Sequence, residues 1–369
     1  MTHIAIIGAG IIGAAIAYEL SLIKGLKITL IDEKIPASGA TGAALGVLMA
    51  IISHKTKGRG WKLRQTSLQR YESLIPELET LTGEIIPVNR QGILMLRFAE
   101  DSLEGWEKLR HIRQSQGYEL AILDRQQLGQ QYPQINLNNN RIMGAIYSPQ
   151  DRQIHPTLLT QALVKGASIN GVNCQFGVKV QNILSTALND SKKRHCYQIQ
   201  TTESNLDIDK LVIAAGLGST PLTEALSQKL DIRPVLGQAL QVRLDQPLGN
   251  VAFQPVITGD DVHIVPQNKG EYWIGATVEF PNTIGEIISQ PELLEKVRQQ
   301  AINFCPELEK AEIIQTWFGK RPRPEGEPAP IIRELPGYDN IILATGHYRN
   351  GILLAPATAL AIRDHLLKN

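Results

Sequence analysis

The chain of 369 residues is long enough for two domains, and its 43% hydrophobic and 20% charged residues are typical of a soluble globular protein. Lysine and arginine number 37 against 36 acidic residues, a net charge of +1 that excludes a global field attracting nucleic acid or an anionic membrane and favours small-molecule partners. The cysteines, Cys174, Cys196 and Cys305, form no CxxC pair, so neither a disulfide framework nor a metal site is predicted.

The N-terminal segment predicts a strand over 3–8, a helix over 11–24 and a second strand over 27–32. A glycine triplet spaced GxGxxG lies between the first strand and the helix, and Asp32 ends the second strand. Small residues then fill 37–46, where the backbone can closely approach a flat ligand. This order predicts an adenine dinucleotide site, whereas the alternative is a glycine-rich turn without a ligand.

Each residue of this motif has a physical role in dinucleotide binding. Gly8 permits the tight turn from strand to helix, Gly10 lets the backbone approach a pyrophosphate, and Gly13 lets the helix pack closely on the strand. The helix N-terminus offers free amide donors and the positive end of its dipole to the phosphates. Asp32 can accept hydrogen bonds from the adenosine ribose.

Helical and alternating patterns continue along the chain, and hairpin signals dominate after residue 238. The remaining predicted helices are 61–81, 101–116, 156–166, one opening at 217, 293–304 and one after 345. The remaining predicted strands are 92–98, 144–147, 175–180, 206–216, 238–244, 262–266, 272–277, 313–318 and 340–345.

Three predicted strands end in small residues, at Gly8, Gly216 and Gly346, and we expect these ends to line one crevice. No second complete GxGxxG is present, which disfavours a separate NAD(P)H domain. The predicted fold class is α/β + β, a discontinuous Rossmann-like nucleotide-binding domain with an inserted antiparallel-sheet substrate domain. The nucleotide-binding domain is predicted over 1–85, 150–225 and 326–369, and the substrate domain over 86–149 and 226–325.

The segments 8–13, 214–219 and 346–358 together resemble the D-amino acid oxidase superfamily of FAD enzymes. Within that superfamily, the last segment is most similar to the glycine oxidases of thiamin biosynthesis. The resemblance implies FAD-dependent oxidative deamination of glycine or a small amine or D-amino acid, by hydride transfer to flavin N5. The imino acid product would hydrolyse to a 2-oxo acid and ammonia, and oxygen would reoxidise the flavin with release of hydrogen peroxide.

The resemblance also implies the cofactor contacts. A helix N-terminus over 350–353 would face the flavin pyrimidine and stabilise the charge of the reduced ring, whereas the alternative is an ordinary capped helix. No cysteine occurs at 320–323, where monomeric sarcosine oxidases attach FAD, so a noncovalent flavin is predicted. The predicted cofactor-binding residues are Gly8, Gly10, Ile11, Ile12, Gly13, Asp32, Glu33, Thr41, Ala43, Ala44, Gly46, Val180, Ala215, Gly216, Gly346, His347, Arg349, Asn350, Gly351, Ile352 and Leu353.

A guanidinium can hold a substrate carboxylate by two parallel hydrogen bonds. Arg321 matches the carboxylate-binding arginine of glycine oxidases, and Arg349 matches a second arginine beside the flavin; the alternative for each is a surface cation or a salt bridge. His263 stands where a substrate-binding tyrosine is expected, and it is either a hydrogen-bond donor to the carboxylate or an exposed strand histidine. No dedicated catalytic residue is predicted, because orientation and desolvation supply most of the rate.

Two other functions remain open from the sequence. One is an amino acid dehydrogenase that passes electrons to a quinone, and the other is a noncatalytic flavin-binding protein. The apolar N-terminus lacks a basic segment and no run of about 18 apolar residues occurs, so the sequence predicts a soluble protein without a signal peptide or stable membrane insertion. The unpaired cysteines favour the cytoplasm. The oligomeric state is open, and a homo-oligomer is compatible with the sequence.

Overall fold

The computed structural model describes residues 1–188, 192–282 and 285–368. Its helices are α1 (Ile11–Ser21), α2 (Gly58–Thr82), α3 (Leu103–Ser115), α4 (Arg125–Gln131), α5 (Pro156–Ile169), α6 (Ser219–Ala225), α7 (Pro291–Phe304) and α8 (Gly351–Lys368). Its first ten strands are β1 (Thr2–Ile7), β2 (Leu26–Asp32), β3 (Val47–Leu48), β4 (Val88–Asn89), β5 (Ile93–Phe98), β6 (Ala121–Asp124), β7 (Ile142–Ser148), β8 (Arg152–Ile154), β9 (Asn173–Phe176) and β10 (Val180–Ala187). The others are β11 (Arg194–Thr201), β12 (Asn205–Asp207), β13 (Lys210–Ile213), β14 (Ile232–Arg243), β15 (Val256–Gly259), β16 (Val262–Pro266), β17 (Glu271–Gly275), β18 (Glu312–Pro324), β19 (Ile331–Glu334) and β20 (Ile341–Thr345).

A six-stranded sheet carries the N-terminal glycine motif, in the order β19-β20-β13-β1-β2-β9. All of its neighbouring strands pair in parallel except β19 and β20. Both faces are buried: Ile4 and Ile6 of β1 pack in the cluster that includes α1, α5 and α8, whereas Ala5 and Ile7 pack with β11. Burial on both faces explains why the strand is a continuous apolar run.

The second large sheet has eight strands in the order β18-β14-β17-β16-β15-β5-β7-β6, and all neighbours are antiparallel except β15 and β5. One face packs against α7, through residues such as Val262 and Ile264. On the opposite face, Ala239 and Val265 join the same core as α1 and α8. The sheet therefore lies directly against the part of the chain that carries the glycine motif.

The predicted α/β + β fold class is confirmed, but several strand boundaries were wrong. Segment 206–216 is two strands, β12 and β13, which belong to different sheets, and segment 175–180 is likewise divided between β9 and β10. The three-stranded meander β10-β11-β12 was missed as a unit, although its strands are consecutive in the chain and each pairs with the next. Strand β18 continues through two prolines to Pro324, which is tolerated because it is the edge strand of its sheet.

The two large sheets draw their strands from the segments predicted for the two domains. Every strand of the six-stranded sheet lies within 1–85, 150–225 or 326–369, and every strand of the eight-stranded sheet within 86–149 or 226–325. A short pairing between β4 and β8 joins the two sets of segments. The domain limits themselves stay a prediction. None of the helices in the described ranges is long and apolar enough to cross a membrane.

Candidate active site

A cavity of about 720 Å³ lies between the two large sheets, and most of the site residues predicted from the sequence line it. The ends of β1, β13 and β20 all reach it, as expected for the crevice of such a sheet. The predicted site residues that line it are Gly8, Gly10, Ile11, Ile12, Asp32, Glu33, Thr41, Ala43, Ala44, Gly46, Val180, Ala215, Gly216, His263, Arg321, Gly346, His347, Arg349, Gly351, Ile352 and Leu353. Gly13 and Asn350 do not line it.

The glycine motif forms the turn between β1 and α1. Gly8 has a φ of +109°, and a Cβ there would lie 2.5 Å from the carbonyl oxygen of Ala214. A Cβ on Gly13 would lie 1.8 Å from the carbonyl oxygen of Gly8, so Gly13 serves helix packing rather than direct ligand contact. Helix α1 has no acidic residue in its first turn, and its N-cap residue, Gly10, has no side chain that could cap the helix. Its N-terminus is therefore suited to an anion.

Asp32 ties the end of β2 to the glycine turn. Its Oδ2 accepts a hydrogen bond of 2.6 Å from the amide of Ala9, and its Oδ1 accepts one of 2.8 Å from the amide of Lys34. The carboxylate also lines the cavity, and each oxygen keeps acceptor capacity beyond these bonds. Asp32 thus fixes the turn and faces the space where the sequence predicts a ribose.

The segment before α8 forms the opposite wall of the cavity. His347 is buried, its Nε2 lies 2.9 Å from Oγ1 of Thr358, and burial together with Arg59 lowers its pKa to about 3, so the ring is neutral. The amide of Asn350 donates to the carbonyl of His347 at 3.0 Å and is not available to a ligand. The series of free amide donors expected over 350–353 therefore does not include Asn350, and α8 begins at Gly351.

Arg321 extends from β18 into the cavity and has no ion-pair partner among the described residues. Its Nη1 donates to the carbonyl oxygens of Leu236 at 3.2 Å and Thr277 at 3.0 Å. The guanidinium lies directly over Gly237, where a Cβ would come within 2.2 Å of Nη2. Burial, followed by repulsion from Arg349, lowers the pKa of Arg321, although a guanidinium stays charged at neutral pH. The cavity therefore contains a cation without a counterion.

Arg349 differs from Arg321 because it has a carboxylate partner. Its Nη2 lies 2.9 Å from Oδ1 of Asp261, which also lines the cavity. The hydrogen bond from Arg349 holds the pKa of Asp261 below its usual range, so the pair carries no net charge at neutral pH. A salt bridge was one of the alternatives for Arg349, but no local pattern in the sequence indicates Asp261 as the acid.

His263 lies in the cavity wall rather than on an exposed strand surface. Its neighbours Val262 and Ile264 pack toward α7, so strand alternation directs the histidine to the opposite face. Nδ1 lies 2.8 Å from Oγ1 of Thr258. Burial lowers its pKa to about 4, with a further contribution from Arg349, so the ring is neutral at pH 7. Any hydrogen bond to a substrate therefore involves a neutral imidazole.

A pair of glycines on neighbouring strands also shapes the cavity and was not predicted from the sequence. Gly237 and Gly319 are opposite each other in the β14–β18 register, and a Cβ on Gly319 would lie 2.4 Å from Cβ of Ala43. The first glycine leaves space for Arg321 and the second lets β18 approach the small-residue segment 37–46. A glycine after the predicted strand 313–318 was visible in the sequence, but the register that pairs it with Gly237 was not.

The model of the FAD dependent oxidoreductase family, DAO, matches residues 3–365. The chain belongs to the FAD dependent oxidoreductase family. The predicted superfamily, enzyme class and cofactor are thereby confirmed.

Relatives and solved structures similar to this oxidoreductase cover nearly its whole length. It is 30% identical to the glycine oxidase of Bacillus licheniformis, over 99% of this chain and 92% of the relative. It is also 30% identical to the bifunctional protein ThiO/ThiG of Trichormus variabilis, over 99% of this chain but 52% of that protein. The crystal structure of glycine oxidase from Bacillus cereus is 28% identical with a TM-score of 0.85, covering 100% of this chain and 95% of the other.

The cavity of this oxidoreductase fits FAD on three structural grounds. The α1 N-terminus lacks acidic groups and lines the cavity at the position suited to a pyrophosphate. Asp32 and Glu33 lie at the end of β2, where their carboxylates could accept hydrogen bonds from the hydroxyls of a ribose. Small residues, including Ala43, Gly46 and Gly319, keep the wall open for a flat ring system.

Proposed function

We propose that this oxidoreductase catalyses the oxidative deamination of glycine or a small amine carrying a carboxylate. The observation that carries the proposal is the unpaired guanidinium of Arg321, half-buried in the wall of a cavity that fits FAD. A carboxylate held by two hydrogen bonds at this guanidinium would be fixed in position and orientation. The glycine oxidase names of the full-length relatives support the same substrate class.

The proposed cofactor contacts are those predicted from the sequence, with two changes in role. Gly13 acts through helix packing, and Asn350 accepts a hydrogen bond of 3.4 Å from Arg64 instead of facing the cavity. Bound FAD would supply the acceptor for the hydride, which carries both electrons away from the substrate α-carbon. The attachment is proposed to be noncovalent, because no cysteine lines the described cavity wall.

The side chains of the cavity bind and orient the substrate. Arg321 holds the carboxylate, and neutral His263 lies on the same wall as a hydrogen-bonding group without adding charge. The amine reacts in its neutral form, so the site needs no strong base, and orientation with exclusion of water supplies most of the rate. The imino acid then leaves and hydrolyses to a 2-oxo acid and ammonia.

We further propose oxygen as the electron acceptor, which the glycine oxidase names of the relatives support. We also propose the cytoplasm as the location, because the described residues include three free cysteines and no disulfide. The test is rapid mixing of the oxidised holoenzyme with glycine, sarcosine and small D-amino acids under anaerobic conditions. Loss of the visible flavin absorbance is expected, followed by hydrogen peroxide release when oxygen is admitted.

Each alternative function gives a different result in this experiment. A flavin that amines reduce but oxygen does not reoxidise, while a quinone does, would identify a dehydrogenase. A flavin spectrum unchanged by every amine would contradict the proposed function and favour a noncatalytic flavin-binding protein.

A further inference from the structure

Asp261 occupies an unusual turn in the wall of the cavity. It forms with Asp260 the two-residue connection between β15 and β16, and the φ angles of these residues are +62° and +46°. Asparagine and glycine are the residues preferred in such turns, so two aspartates carry a conformational cost. Asp260 has a partner outside the cavity, Nη2 of Arg141 at 3.4 Å. Asp261 has its partner within the cavity, at Arg349.

The ion pair with Asp261 makes the two cavity arginines electrostatically different. Arg349 and Arg321 line the same cavity, and their positive charges repel each other. Asp261 neutralises Arg349 through a contact of 2.9 Å, whereas Arg321 donates only to uncharged carbonyl oxygens. Of the two cavity arginines, Arg321 is therefore the one that has no carboxylate partner among the described residues and can offer its charge to an anionic substrate.

Resting on the proposed function, we propose that Asp261 is a positioning residue that restricts the substrates to amines with one carboxylate, by occupying Arg349. A substrate with a second carboxylate would approach the negative charge of Asp261 and compete with it for Arg349. Discrimination thus comes from a repulsive group in addition to the attraction of Arg321. Removing the charge at Asp261 would leave Arg349 with unpaired donors that can hold a second carboxylate.

The test uses ligand pairs that differ by one carboxylate. Sarcosine and iminodiacetate are the substrates, and acetate and malonate are the nonreacting ligands, titrated into the holoenzyme while the flavin absorbance is recorded. The variant is Asp261→Asn, because asparagine keeps the side-chain shape and tolerates the positive φ. The control is Glu325→Gln, which removes a carboxylate 3.3 Å from Arg323, a pair that does not line the cavity.

We expect Asp261→Asn to raise the preference for malonate over acetate, and for iminodiacetate over sarcosine, by about tenfold or more. Glu325→Gln is expected to leave both ratios unchanged. Equal affinity ratios in Asp261→Asn and the wild type would overturn the role of Asp261, even if the wild type oxidises sarcosine. A changed malonate preference in an enzyme whose flavin no amine reduces would support the role of Asp261 and overturn the proposed function.

Discussion

The hydroxyl of Tyr71 donates a hydrogen bond of 2.5 Å to the carbonyl oxygen of Ile352, the group that Pro356 leaves without a helical donor. An amide at position 356 would bond to the carbonyl four residues earlier, but proline has no N–H. Tyr71 belongs to α2 and is buried, so one helix completes the first turn of another. Because Ile352 lines the cavity, this bond also supports the cofactor wall.

Tyr71→Phe is therefore expected to lower the free energy of unfolding by about 1–3 kcal/mol, since the carbonyl of Ile352 loses its side-chain donor. It should also weaken FAD retention, because Ile352 lies in the cavity wall. Urea denaturation and FAD loss on dilution measure the two effects. The control is Tyr147→Phe, which removes a hydrogen bond of 3.1 Å to the carbonyl oxygen of Gln91, a pair that does not line the cavity. Equal FAD retention in both variants would contradict the link between Tyr71 and the cofactor.

Arg321→Ala is expected to reduce kcat/KM for the best amine by an amount equivalent to about 2–4 kcal/mol, through loss of charged hydrogen bonds. The flavin spectrum of the variant should stay that of the wild type, since Arg321 is proposed to bind substrate. Steady-state peroxide assays measure the change. Arg323→Ala is the control, because Arg323 lies two residues along the same strand, pairs with Glu325 and does not line the cavity. A wild-type kcat/KM in Arg321→Ala would exclude this residue as the carboxylate anchor.

Gly237→Ala tests whether the position of the guanidinium, and not only its charge, matters. The added methyl group would lie 2.2 Å from Nη2 of Arg321, so the flexible end of that side chain must move. We expect KM to rise by about 10- to 100-fold while FAD stays bound. Gly60→Ala provides the comparison, because its Cβ would meet other atoms only at 3.9 Å. An unchanged KM in Gly237→Ala would mean that Arg321 has another productive position.

The sequence predicted the locally encoded parts of the cavity better than the contacts between distant segments. The β1–α1–β2 unit depends on local signals, namely a buried apolar run, three spaced glycines and a terminal acid. The partner of Arg349 lies 88 positions away in the chain and depends on the turn between two strands. Gly237 likewise acquires its role only through the register of β14 with β18. Such long-range pairings are fixed by tertiary packing and leave no periodic pattern in the sequence.

The free energy of unfolding should fall in mild acid because His347 is buried as a neutral ring. Burial lowers the pKa of His347 to about 3, below the value near 6.5 of an unfolded chain, so between these pH values the unfolded state binds a proton that the native state does not. The contribution is present above pH 6.5, is lost as the pH falls toward 3, and has a maximal slope of about 1.4 kcal/mol per pH unit. Urea denaturation of the holoenzyme from pH 7 to 4 measures it. His347→Asn should flatten the slope, whereas His111→Asn, on exposed α3 surface, should not. A slope equal in wild type and His347→Asn would show that other groups control the acid sensitivity.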